Sequence, residues 1–218
     1  KFLFLSPEML TQKDVIEQLQ KQKIGLYVID EAHCVSQWGV DFRPEYQQLG
    51  EIAQKLGSPV TLALTATATT AVQHDIETVL FQEVPVRIIH SVNRQNIALY
   101  VKKTSQKEAD LEDLMKQAKG SMIIYCATKK EVERLYQLFR SRFTIGYYHG
   151  GLEASQRRQL QQQFSQNKLQ FLIATNAFGM GIDKPDIRYV VHYDLPDSLE
   201  NYVQEIGRAG RDQQASEA

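Results

Sequence analysis

Ser121-Met122-Ile123-Ile124-Tyr125-Cys126 is an unbroken apolar run, and a few residues later Val132, Leu135 and Phe139 recur at helical spacing. A run apolar at consecutive positions buries both faces if it is a strand, and the three residues after it fall on one face of a helix. The same alternation extends outward from this stretch. Ile24 to Ile29, Val60 to Leu64, Val86 to Ile89, Thr144 to Tyr148, Phe171 to Ala174 and Ile187 to Tyr193 are predicted strands. Between them, Val15, Ile16 and Leu19 share a helical face, as do Val72, Ile76 and Val79, and then Leu160 and Phe164. Doubly apolar strands alternating with helices predict parallel sheets of the α/β class.

The rhythm breaks between Ser91 and Gly120, where polar Asn93-Arg94-Gln95-Asn96 precedes a short strand and the charged Lys102-Lys103-Thr104-Ser105-Gln106-Lys107-Glu108. A hinge near residue 92 is the expectation, with α/β units at 1–91 and 92–218. The 218 residues are 43% hydrophobic and 23% charged, a globular profile that excludes disorder and fibrous repeats. No apolar run reaches the roughly 18 residues of a membrane span, and the N-terminus does not have the form of a signal peptide. Residues 1–91 carry 7 Lys/Arg against 11 Asp/Glu and residues 92–218 carry 18 against 15, so the halves are net −4 and +3. A mildly basic second half is compatible with phosphate binding and equally with an ordinary solvated surface. The two cysteines, Cys34 and Cys126, cannot build a tetrahedral metal site and read as reduced thiols, so zinc is not expected.

In a parallel sheet the chemistry collects at the carboxyl ends of the strands. Tyr27-Val28-Ile29-Asp30-Glu31-Ala32-His33 ends an apolar strand in adjacent carboxylates. Asp30 can hold Mg²⁺, Glu31 can orient or deprotonate a water that attacks a γ-phosphate, and His33 can sense the nucleotide; a solvated acidic strand end is the alternative. Thr65-Ala66-Thr67-Ala68-Thr69 follows the next strand and either bonds to the carboxylate motif, caps the helix beginning at Thr70, or does both. Thr175-Asn176-Ala177-Phe178-Gly179-Met180-Gly181-Ile182-Asp183 offers backbone N–H groups and glycines to a phosphate, or is only a turn. Gln204-Glu205-Ile206-Gly207-Arg208-Ala209-Gly210-Arg211-Asp212 places two arginines three residues apart, which on a helix would share a face suited to transferring phosphoryl charge; a surface charge pair is the alternative.

In this order and across two α/β units, these four elements resemble motifs II, III, V and VI of superfamily 2 helicases. The run Asp30 to Tyr46, with Trp38, Phe42 and Arg43, resembles the motif II and aromatic-rich loop of RecQ-type DNA helicases and separates the chain from DEAD-box and DEAH-box RNA helicases. Ser6-Pro7-Glu8 is similar to motif Ib, Met122 to Cys126 to motif IV, and Tyr148-His149-Gly150-Gly151-Leu152 to the turn shared by second lobes. The resemblance covers the whole chain. It implies two RecA-like parallel-sheet lobes, the first N-terminally truncated, that belong to an ATP-dependent 3′ to 5′ DNA helicase.

By matching positions, the resemblance assigns Asp30 to Mg²⁺, Glu31 to the attacking water, His33 to nucleotide sensing, and Arg208 and Arg211 to the γ-phosphate of ATP. Gln204 and Asp183 would contact the nucleotide, Asp183 through ribose. Ser6, Trp38, Phe42, Arg43 and Thr175 would contact single-stranded or partly duplex DNA, the aromatic residues by stacking, at roughly 1 to 3 kcal/mol per base. An intracellular site in the cytoplasm or nucleus, and no membrane, follow from the same resemblance. Val40 stands where many members carry His, and Gln95 replaces a usual Pro, which loosens the expected hinge. No Gly-x-x-x-x-Gly-Lys-[Ser/Thr] occurs in the 218 residues, so the chain is expected to be a fragment of a longer helicase, or a truncated relative, and to be inactive alone. A non-catalytic nucleic-acid-binding or partner-binding module is the reading that competes with an enzymatic parent.

Overall fold

A computed structural model describes residues 1–37, 42–91, 93–179 and 183–218, and the chain divides into two compact units, Lys1–Val92 and Asn93–Ala218. In the first unit the order is α1 (Pro7–Leu10), α2 (Lys13–Gln20), β1 (Leu26–Ile29), α3 (Leu49–Lys55), β2 (Val60–Ala63) and α4 (Thr70–Leu80), with 3-10 turns at Ala32–Val35 and Pro44–Gln48. β1 and β2 pair in parallel, with Ile29 opposite Ala63. Tyr27 and Ile29 point inward from β1, onto a core of Val35, Leu49, Ile52, Val72, Ile76 and Leu80.

The second unit runs β3 (Ile97–Ala98), α5 (Lys107–Gln117), β4 (Ser121–Tyr125), α6 (Lys129–Phe139), β5 (Ile145–Tyr148), α7 (Ala154–Ser165), β6 (Phe171–Ala174), β7 (Ile187–His192), α8 (Leu199–Ile206) and β8 (Ser216–Glu217). Its six strands form a parallel sheet in the order β3-β8-β7-β4-β6-β5. Strand alternation sends Ile123, Tyr125, Leu172, Ala174 and Val190 into one core with Phe164 and Phe178, while Met122, Ile124, Phe171 and Ile173 enter the other with Val132, Leu135 and Phe139. This doubly covered sheet is the expected α/β architecture, and the helical faces at 132–139 and 160–164 are the ones that bury.

One expected strand does not form. Val86 to Ile89 is irregular, and Val86, Ile88 and Ile89 are exposed. A β-branched run becomes a strand only where a neighbour accepts its backbone hydrogen bonds, and among the described residues this run pairs with none. Both cysteines are buried, and burial pushes the Cys126 thiol up to about 12, which keeps it protonated and unreactive.

Candidate functional site

β1 delivers Asp30 and Glu31 to its carboxyl end, and the end of β2 fixes them there. The Leu64 N–H donates to the Ile29 carbonyl and the Ala32 N–H donates to the Leu64 carbonyl, each at 2.8 Å. The exposed Asp30 carboxylate accepts the Glu31 N–H through Oδ1 at 2.9 Å. Glu31 itself adopts φ 50°, ψ 43°, the left-handed region that a residue with a side chain occupies only where its surroundings demand it, at a cost of about 1–3 kcal/mol. The demand comes from the turn that follows, because Ala32, His33, Cys34 and Val35 are all buried.

His33 ties this turn to the second strand. Its Nδ1 lies 3.0 Å from Thr65 Oγ1 and 3.4 Å from Glu31 Oε2. Thr65 spends its own hydroxyl proton on the Thr67 carbonyl at 2.8 Å, so it accepts the Nδ1 hydrogen of His33, with Glu31 Oε2 beside that nitrogen. Thr69, at the far end of the threonine run, caps α4 by accepting the Val72 N–H at 3.4 Å. Both roles foreseen for the run are present.

Trp38 and Val40 lie outside the described residues, but the ends of their loop are well fixed. Ser36 Oγ donates to Asp75 Oδ2 at 2.5 Å, Gln47 Nε2 donates to the Val35 carbonyl at 2.6 Å, and the Arg43 N–H donates to the Cys34 carbonyl at 2.9 Å. Phe42 is 36% exposed. Just beyond it, the Tyr46 hydroxyl donates to the Asp30 carbonyl at 3.1 Å, and burial raises its pKa so that it stays a donor. The aromatic loop therefore reaches the acidic pair through a hydrogen bond as well as through the chain. Ser6 is exposed at the start of α1, which packs against the Pro44–Gln48 turn.

In the second unit the residues read as phosphate contacts are differently disposed. The Thr175 N–H, which the sequence offered to a phosphate, donates instead to the Tyr148 carbonyl at 3.1 Å, and Thr175 is buried. Gly181 lies outside the described residues. Gly179 is needed for close approach, since a Cβ there would sit 2.6 Å from Arg208 Nη2. Arg208 is buried, donates through Nη1 to the Gly179 carbonyl, and leaves its buried Nε without a partner among the described residues.

The expectation that Arg208 and Arg211 share a helical face is corrected. α8 ends at Ile206, and the residues beyond it form turns, with Gly210 at φ +53° and Gln213 at φ +65°. α8 stops at its cap, Gly207, whose backbone is still right-handed, and left-handed Gly210 then redirects the chain before Arg211, so the two arginines do not sit on one helix. Arg208 faces inward onto Gly179, whereas Arg211 is exposed, with Nη1 3.7 Å from Oδ1 of Asp183. The acidic residues of the same segment, Glu205 and Asp212, pair with other side chains. Glu205 is buried against His192 Nε2 at 2.8 Å, and Asp212 takes Arg188 at 2.6 Å, which holds its carboxyl below the usual range. Gln204 is half-buried on α8, one residue before Glu205.

Two residues that sequence reading placed in the connecting segment prove to belong to this site. Arg94 and Asn96 bond to the backbone that carries the arginines, more than a hundred residues away. Their polar neighbours made the stretch look like linker, and no local periodicity marks a side chain whose acceptors are distant carbonyls.

Residues 1–76 match the DEAD/DEAH box helicase family and residues 106–213 match the helicase conserved C-terminal domain. The chain is 49% identical over 217 residues to the probable ATP-dependent DNA helicase RecS of Bacillus subtilis, spanning 97% of this chain and 44% of RecS. It is 42% identical over 220 residues to the ATP-dependent DNA helicase RecQ of the same organism, spanning the whole of this chain and 37% of RecQ. The chain thus spans less than half the length of these relatives. A putative ATP-dependent RNA helicase of Acanthamoeba polyphaga mimivirus is also 42% identical, over 99% of this chain and 40% of its own. Among solved structures, Dbp5 of S. cerevisiae in complex with Gle1 and IP6 superimposes with a TM-score of 0.74 at 27% identity, over 98% of this chain and 56% of that one.

Proposed function

The chain belongs to the superfamily 2 helicases and, within them, to the RecQ family, and from that premise we propose that it is part of the motor core of an ATP-dependent 3′ to 5′ DNA helicase that acts inside the cell. The residues divide the work. Glu31 orients and deprotonates the attacking water, Arg211 and Arg208 stabilise charge on the transferring phosphoryl group, and Gln204 and Asp183 contact the nucleotide. Asp30 suits a hard divalent cation: it is an exposed carboxylate at a strand end, oriented by the Glu31 N–H at 2.9 Å, and Mg²⁺ held there would neutralise phosphate charge. Trp38, Phe42 and Arg43 contact single-stranded DNA, with Ser6 and Thr175 contributing along the strand. Taken alone, the 218 residues turn over no ATP, because they contain no glycine-rich loop with its lysine to cradle the triphosphate.

The observation that carries this reading is the linkage around the acidic pair. Thr65 is joined to Glu31 through His33, and Tyr46 is joined to Asp30, so occupancy of the aromatic loop can alter the carboxylates without touching nucleotide. A base stacked on Trp38 is therefore expected to matter for stimulation of hydrolysis rather than for ATP affinity. In the full-length protein, Trp38→Ala should lose most of the increase in ATP turnover caused by single-stranded DNA while basal ATP binding stays within about threefold. Undiminished stimulation would return Trp38 to a packing role.

A further inference from the structure

We propose that Arg94 is a positioning residue for the arginine-bearing loop, setting where Arg208 and Arg211 stand although it touches no substrate; this rests on the functional reading above. A helix ends with carbonyls that have no partner of their own, and these are satisfied by a cap, by water or by a cation. At the end of α8 the following turn satisfies the helix's own last carbonyls, Val203 by the Gly207 N–H, Glu205 by the Arg208 N–H and Ile206 by the Ala209 N–H, and Arg94 takes the carbonyls of the loop beyond. Its Nη2 donates to the Gly210 carbonyl at 2.7 Å and to the Ala209 carbonyl at 3.3 Å, and its Nη1 to the Gly207 carbonyl at 3.4 Å. One planar guanidinium thus holds three carbonyls that bracket Arg208 and immediately precede Arg211.

Asn96 completes the grip. Its Nδ2 donates to the Gly210 carbonyl at 2.8 Å and to the Gln214 carbonyl at 3.0 Å, and its own carbonyl accepts the Ser216 N–H at 2.9 Å. The fit is tight, because a Cβ on left-handed Gly210 would lie 2.4 Å from Asn96 Nδ2. The loop therefore follows the shape of the two side chains, and its turns at Gly210 and Gln213 are held from one side by residues at the start of the second unit. Arg94 lies one residue after Asn93, where that unit begins. The segment by which the chain enters the unit is also the segment that grips the arginines.

The test is a double-mutant cycle on the full-length protein, read as kcat and KM for ATP in the presence of single-stranded DNA, with binding of a fluorescent ATP analogue measured separately. Arg94→Gln should lower kcat at least tenfold with less than a threefold change in analogue affinity. Arg94→Lys should not restore it, since one ammonium cannot span three carbonyls. In the Arg211→Ala background, Arg94→Gln should cost a clearly smaller fraction of the remaining turnover than it does in the wild type, because one of the two groups it positions is gone. Equal fractional losses in both backgrounds, or recovery by lysine, would overturn the proposal and leave Arg94 a general stabiliser. Normal turnover in Arg211→Ala would instead defeat the functional reading itself. If Arg94→Gln does not fold, Asn96→Ala, which removes two bonds to the same loop, carries the same cycle with the same outcomes.

Discussion

Arg211→Ala in the full-length protein is expected to reduce kcat for ATP hydrolysis by on the order of 10³ to 10⁵ while ATP affinity changes only a few-fold. The loop explains the asymmetry. Arg208 is buried and committed to the Gly179 carbonyl, so its loss would disturb packing as well as chemistry. Arg211 projects from a turn and is 3.7 Å from Asp183, whose side chain is 93% exposed. Such a pair contributes little to stability and is easily exchanged for a phosphate. An arginine that meets the phosphoryl group only as charge develops there stabilises the transition state more than bound ATP. Arg211→Lys should recover little, because a point charge does not reproduce the planar fork that spans two phosphate oxygens. Single-turnover hydrolysis alongside equilibrium nucleotide binding checks this, and near-normal hydrolysis with alanine at 211 would take the residue off the catalytic list.

Glu31→Gln should lower kcat by about 10² to 10⁴, the range for loss of a positioned general base, with binding of ATP and of single-stranded DNA retained. Glutamine keeps the size of the side chain and leaves the left-handed backbone at φ 50° and the buried turn after it undisturbed. It removes only the carboxylate, whose Oε2 lies 3.4 Å from the His33 nitrogen. The amide cannot take a proton from water. Rapid-quench measurement of the chemical step on preformed protein, ATP and DNA separates this from a binding defect. Wild-type rates in the glutamine variant would mean that Glu31 serves only to start the turn.

The architecture of the second unit was readable because each of its strands from β4 to β7 is apolar across the sheet and each intervening helix shows one apolar face. Val86 to Ile89 was misread for the complementary reason: strand propensity reports how a side chain fits a pleated surface, and the sequence holds no statement of whether a partner strand is there. The acidic pair and the threonine run were legible as chemistry because strand-end placement and residue type suffice to suggest it. What could not be read was orientation. Two arginines at a spacing of three suggest a shared face only if the helix continues, and Gly207 and Gly210 lie among them. Arg94 and Asn96 were invisible as site residues because their acceptors are backbone carbonyls, which every residue possesses and no pattern distinguishes.

If these residues belong to a motor driven on single-stranded DNA, the DNA must govern ATP turnover. Steady-state ATP hydrolysis by the full-length protein, titrated with a single-stranded DNA oligonucleotide and, in parallel, with RNA of the same sequence, tests it most directly. A saturable rise in kcat with DNA and a much smaller one with RNA is the expected result. Turnover indifferent to DNA, or raised at least as much by RNA, would contradict it.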